Sequence, residues 1–161
     1  NNVTSGSLTL PAYTSFLSES IDGVNYNFVS SNTITVNANT TSNTVTFTNV
    51  ELKQGIPATY SYTVDSTNNP NFVFEVPDNT VDTSTIRVTI QESSTNTYLE
   101  TYSSSSKFID LNGDSKVYFI QEAINGNYEI LFGNGILGKK LKDGNIVRIS
   151  YIITQIGRAH V

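Results

Sequence analysis

The stretch VYFIQEAINGNYEILFGNGILGKKLKDGNIVRISYIIT, Val117 to Thr154, decides the fold. Val117 to Ile124 and Asn127 to Phe132 are both rich in β-branched and aromatic residues. Asn125-Gly126 lies between them, and an Asn-Gly pair flanked by such runs predicts a β-hairpin. Beyond Phe132, Gly133, Gly135 and Gly138 stand at G-x-G-x-x-G spacing with Lys139 and Lys140 behind them. A dinucleotide fingerprint needs a strand, the glycine turn, then a helix whose N-terminus meets the pyrophosphate. Only four residues separate Gly138 from Asp143-Gly144, the next turn pair. Ile146 to Ile153 then reads as a long strand. A parallel crossover needs about a dozen residues or more, so no helix fits. The motif also lacks the Walker pattern, because Gly138-Lys139 is followed by Lys140 rather than Ser or Thr. The glycines are expected to reverse the chain between strands, where a Cβ would clash.

The same two-residue rhythm extends upstream. Ile34-Thr35-Val36, Val45-Thr46-Phe47, Tyr60 to Val64 and Ile86 to Ile90 each alternate apolar and polar side chains. Each predicts a strand with one face in the core. The expected buried set is Ile86, Val88, Ile90, Phe119, Ile130, Phe132, Ile149 and Tyr151. The nearest approach to helical spacing is Ala12 to Ser20. Asp22-Gly23, Asn112-Gly113, Asn134-Gly135 and Asp143-Gly144 supply further turns. The reading is an all-β, mainly antiparallel fold with little helix. The polar segment Asp65 to Asn71, which carries Pro70, divides it into two small β modules, 5–66 and 67–155. Ser103 to Ser106 reads as a surface loop.

Composition limits the function. Ser, Thr and Asn make up 59 of the 161 residues, while charged residues are only 14%. Thr suits strands, and Ser and Asn suit turns, so solubility rests on neutral polar groups. A net charge of −5 argues against nucleic-acid or anionic-membrane partners, which need a basic surface. The chain has no cysteine, which removes disulfides, thiolate metal sites and cysteine nucleophiles. No run of about 18 apolar residues occurs, so no helical bilayer span is expected. No signal peptide is visible, and the chain opens on Asn1 rather than Met.

The last six residues, Ile156 to Val161, admit the codon choice ATC-GGA-AGA-GCA-CAC-GTC, which matches a common sequencing-adapter sequence. They are read as translated adapter, with the natural protein continuing past Gln155. His160, the single histidine, falls within them. Without Arg158 there are 8 basic residues against 14 acidic ones, a charge of −6. A serine triad requires a histidine base, and then none remains. Glu75, Asp78, Asp82, Glu92, Glu100, Glu122 and Glu129 are available for acid–base chemistry, but no spacing converges two of them. Asp110 to Asp114 faintly resembles a calcium loop. Such a loop wants glycine sixth and glutamate twelfth; here Gly113 is fourth and Gln121 is twelfth, so a self-bonded turn is expected. Nine tyrosines raise a sugar-binding reading, but with no tryptophan they are better spent filling half-buried sheet or an interface.

Three segments, in order, resemble one known family. Leu8 to Phe16 (LTLPAYTSF), Val76 to Ile86 (VPDNTVDTSTI), and Val117 to Thr154 with its Phe132-Gly133-Asn134-Gly135 turn and Asp143-Gly144-Asn145 lead are similar to the baseplate wedge protein of T4-like contractile-tailed phages. That subunit forms the inner ring of the baseplate and is related to the baseplate J family. The resemblance covers about residues 5–155. It implies a structural virion component of the tail baseplate, assembled in the bacterial host cytoplasm. The implied partners are other baseplate wedge subunits, with a homo-oligomer in the full-length protein and neither nucleic acid nor membrane. It implies no catalytic, cofactor-binding or metal residues and no cofactor. The competing expectation is a phage-borne β-sandwich adhesin or carbohydrate-binding module.

Overall fold

The computed structural model describes residues 6–39 and 41–154. The proposed adapter residues 156–161, His160 among them, lie outside the described residues. The structure is all-β, and among the described residues the single helical piece is a 3-10 turn at Thr83–Thr85. Contacts group the described residues into two compact units. One runs to Pro57 and takes in Ile152 to Thr154; the other is Ala58–Tyr151. The polar segment 65–71 lies inside the second unit as a turn: the Asp65 carbonyl accepts from Asn69 N–H at 2.9 Å, and the Asn69 amide both donates to and accepts from Val73.

In the first unit, β1 (Ser7–Leu10) pairs antiparallel with β4 (Ile34–Asn37), and the facing Thr9 and Thr35 hydroxyls bond at 2.8 Å. β2 (Ser15–Leu17) pairs with β3 (Asn27–Ser30), which pairs with the start of β5 (Leu52–Thr63). The helical spacing suspected at Ala12 to Ser20 therefore resolves as a turn and a strand. Tyr13 takes a positive φ of 64°, which no helix accommodates. Val45 to Phe47 keeps alternating exposure but joins no strand; only an isolated bridge, Asn39 to Thr44, precedes it. Buried Ser30 is satisfied by donating to the Pro11 carbonyl and accepting from Thr14 N–H.

The second unit is ordered β5, β11 (Ile146–Thr154), β7 (Arg87–Gln91), β8 (Leu99–Ser104), β9 (Val117–Glu122), β10 (Tyr128–Phe132), β6 (Val73–Val76). The last residues of β5 and most of β11 belong to it. β6 with β10, β10 with β9, β11 with β7 and β7 with β8 pair antiparallel, and β8 with β9 pairs parallel. The end strands come back together: the Tyr62 hydroxyl of β5 donates to the Glu75 carbonyl of β6 at 2.6 Å. A run of rings leads inward from exposed Tyr60 through Tyr62, Phe74 and Phe132 to buried Tyr102, with centroids 4.9 to 5.8 Å apart. Such tilted contacts suit the ring quadrupoles. Ile86, Val88, Ile90, Ile130, Ile149 and Tyr151 are buried as the alternation predicts. Phe119 and Phe132 are only half-buried, a correction to that set. In β9 it is Val117 and Tyr118 that enter the core, because the Tyr118 hydroxyl reaches the Ile86 carbonyl at 2.9 Å. Phe119 then turns to the opposite face, as strand geometry requires.

Candidate interaction surface

One end of the second unit is made by two turn-rich segments. The glycine loop follows β10, and residues 133–145 carry no helix before β11 begins. Gly135 and Gly138 hold φ of 91° and 90°, values that favour glycine. Gly133 is needed for a different reason: a Cβ there would stand 2.2 Å from the Gly138 carbonyl. The Asn134 side chain accepts from Ile136 and Leu137 N–H at 2.9 and 3.0 Å, closing the turn. The glycine motif is therefore a backbone crossing, with Gly135 N–H bonded to the Gly138 carbonyl and Gly138 N–H to the Asn112 carbonyl.

This loop is tied to the segment read as a faint calcium site. Gly138 N–H donates to the Asn112 carbonyl and Lys139 N–H to the Ser115 carbonyl, at 2.9 and 2.8 Å. Asn112 uses its own side chain to accept from Asp114 N–H at 2.9 Å, the self-bonded turn expected from the sequence. Among the described residues no group of three or more acidic or histidine side chains could hold a metal ion.

Beside the loop lies a small cleft of about 160 Å³, lined by Tyr98, Glu100, Tyr102, Lys139, Lys140 and Lys142 among others. Glu100 accepts from Lys139 Nζ at 2.9 Å, and Lys116 Nζ stands 3.0 Å from its other oxygen. First the Lys139 bond and then the Lys116 bond hold the Glu100 carboxyl below the ordinary glutamate range. The same bond raises Lys139. Lys140 sits over the Phe72 ring, 5.8 Å from its centroid.

On the other side is an apolar groove of about 490 Å³. Phe108 and Phe119 stack over it with centroids 4.9 Å apart, and Leu131 and Leu137 also line it. Phe108, Ile109 and Ile136 are 62%, 75% and 74% exposed, so this face is unusually apolar for a solvent surface. At the far end of β9 and β10, the hairpin tip presents Ile124 fully to solvent. The Glu75 carboxylate fixes that tip, accepting from the side-chain amides of Asn125 and Asn127 through one oxygen.

The carboxylates singled out in the sequence are distributed among such tasks. Asp78 accepts from the Tyr151 hydroxyl at 2.6 Å, and burial, then that bond, push Tyr151 far up. Asp82 caps the 3-10 turn through Ser84 N–H, and Glu92 takes the Asn96 amide. Glu129 takes the Gln121 amide at 2.8 Å. Glu75 and Glu129 do face each other in register across β6 and β10, a convergence no sequence spacing announced. Each is occupied by amides. Of the tyrosines, burial raises Tyr62, Tyr102 and Tyr118, and these belong to the interior. Tyr98, 71% exposed, belongs to the cleft.

The fold and this end of it define an all-β module whose polar side chains are spent on holding loops, with an exposed apolar face beside them. The chain belongs to the family of the bacteriophage baseplate wedge protein gp6: the model of that protein's third domain matches residues 62–154. No curated protein matches the chain.

Proposed function

We propose that this chain is a non-catalytic structural part of the baseplate wedge of a contractile-tailed phage, carried in the virion and assembled in the host cytoplasm. In this reading it comes from an inner-ring subunit related to the baseplate J family, homo-oligomeric in full length. It works by being held between other wedge subunits. The observation that carries the proposal is the third-domain match over residues 62–154, which spans nearly the whole Ala58–Tyr151 unit. The chemistry of the surface supports it. The groove at the exposed end is apolar and neutral-polar, the composition of contact cores rather than of charged, solvated faces. Of the candidate carboxylates, Glu75 and Glu129 are bonded to amides, Asp78 to a hydroxyl and Glu100 to lysines.

The test is co-expression of the chain with other wedge subunits of the same phage. A stable, stoichiometric complex that survives gel filtration is the expected result. Saturable binding to a glycan array without co-purification of wedge subunits would instead favour an adhesin, with Tyr98 and the lysine cleft as its first suspects.

A further inference from the structure

The β9 strand has an edge that the rest of the unit does not use. Lys116 and Tyr118 aim their carbonyls at β8, where Ser103 and Ser105 N–H donate to them, both at 2.9 Å. Backbone polar groups alternate sides along a strand. Ile120 and Glu122 therefore aim their N–H and C=O the same way, while Phe119 and Gln121 serve the β10 ladder. But β8 ends at Ser104, and its pairing with β9 ends at Tyr118. The Ser105 hydroxyl donates to the Lys107 carbonyl at 2.8 Å and turns the chain away. Among the described residues nothing pairs with the two N–H and two C=O groups of Ile120 and Glu122. The opposite end of the sheet is treated differently, since Tyr62 covers the Glu75 carbonyl there.

The apolar groove lies against this same edge, lined by Ser105, Phe108, Phe119, Ile120 and Leu131 among others, and none of its lining residues is ionisable. An apolar small molecule could fill the groove but would leave four backbone groups to water. A polypeptide strand satisfies both features. We infer that the β9 edge from Phe119 to Glu122 is an acceptor for an extended, uncharged strand from another protein, which pairs with Ile120 and Glu122 and sets alternate apolar side chains against Phe108, Phe119 and Leu131. This is strand addition, in which main-chain bonds give affinity and alternate side chains give specificity. The neutral groove selects against a charged strand, whose desolvation would go unrewarded. The inference rests on the assembly reading only for the source of the strand, a neighbouring baseplate subunit.

The probe is a blocked heptapeptide of alternating valine and threonine, titrated into the isotopically labelled 161-residue chain. Amide exchange at Ile120 and Glu122 is expected to slow by about tenfold, with little change at Phe119 and Gln121. An analogue N-methylated at alternate residues, and one carrying aspartate for each valine, are expected not to bind. Glu122→Pro removes one open-edge N–H without touching the ladder to β10, and is expected to weaken binding about tenfold, the equivalent of one backbone hydrogen bond. Phe108→Ala reports on the groove independently, and both variants are first checked for a dispersed spectrum. Unchanged exchange at Ile120 and Glu122 under saturating peptide, or equal binding of the N-methylated analogue, overturns the inference. Concentration-dependent protection of these amides without peptide overturns the choice of occupant, because a second copy would then sit on the edge. Neither failure touches the wedge assignment, which stands or falls on co-purification.

Discussion

Single glycines in the hairpin tip and the glycine loop do two separate jobs, and substitution distinguishes them. Gly133→Ala puts a methyl 2.2 Å from the Gly138 backbone, which has no flexible side chain to yield. The loop must open, and we expect a loss of about 2–3 kcal/mol in urea unfolding, the upper end for overpacking. Gly126→Ala meets nothing within 4 Å and suffers only from its φ of 84°, so about 1 kcal/mol is expected. Equal losses at the two sites would contradict the crossing. Glu100 supplies a pH-dependent contact. Its carboxyl is depressed by Lys139 and Lys116, so it contributes stability above the ordinary glutamate range. That contribution disappears as pH falls through the ordinary value toward the depressed folded one. The side chains of the network are 28% to 47% exposed, and solvent screening keeps it to about 0.5–1 kcal/mol. Glu100→Gln should lose this much at pH 7 and nothing at pH 2, measured by urea midpoints; an equal loss at both would show that the charge is idle.

At the scale of elements, the sequence announced the hairpin and the long last strand but not every face. Asn125-Gly126 does sit between β9 and β10, yet not as a two-residue turn. Gly126 N–H bonds the Ala123 carbonyl, and Ala123 N–H bonds the Asn127 carbonyl, at 2.9 and 2.8 Å. The glycine thus closes a longer turn, with φ positive at Gly126 alone, the bulged connection that accompanies a type I turn. Ala123 and Ile124, which read as strand, are thereby moved into the loop. The exchange of Phe119 for Tyr118 in the core was hidden for another reason. Val117-Tyr118-Phe119-Ile120 is apolar throughout, so period two cannot choose a face. A hydroxyl partner on Ile86, 32 residues away, makes the choice. Tyr118→Phe keeps the ring and removes one of two donors at the Ile86 carbonyl, leaving Arg87 Nη1 at 2.9 Å, so we expect about 0.5–1 kcal/mol of destabilisation with β9 still buried on the same face. A neutral substitution would mean the hydroxyl has no part in the phase of this strand. Val45 to Phe47 shows the converse: alternation predicts exposure correctly and pairing wrongly, because a strand needs a neighbour as well as a rhythm.

For the whole chain, the exposed end was the least legible part, because it is assembled from distant segments. Glu100 meets lysines 16 and 39 positions later, and the open β9 edge exists only because β8 pairs parallel to it and then leaves after Ser105. Turn chemistry is local and can be read in a line; which strand stops short is not. The boundary of the matched family region is better defined physically. Residues 62–154 nearly coincide with the Ala58–Tyr151 unit, whose sheet brings β5 back to β6 and whose core runs from Val64 to Tyr151, drawn from its strands and from the loop residues Val64, Val81, Ile86 and Leu141. A unit with its own core and closed end strands should not need the preceding residues to fold. We therefore expect a fragment of residues 58–154 to give a dispersed amide spectrum and one cooperative urea transition. A stability of about 5–10 kcal/mol and a slope of about 1 kcal/mol per molar are the normal range for its size. Within that fragment the Ile86 and Ile130 amides should exchange only by global opening, while those of the Ile124 tip exchange freely. A gradual transition, or a fragment that shows no protected amides at Ile130, would mean that the contacts grouping Ala58–Tyr151 are too weak to make it a folding unit.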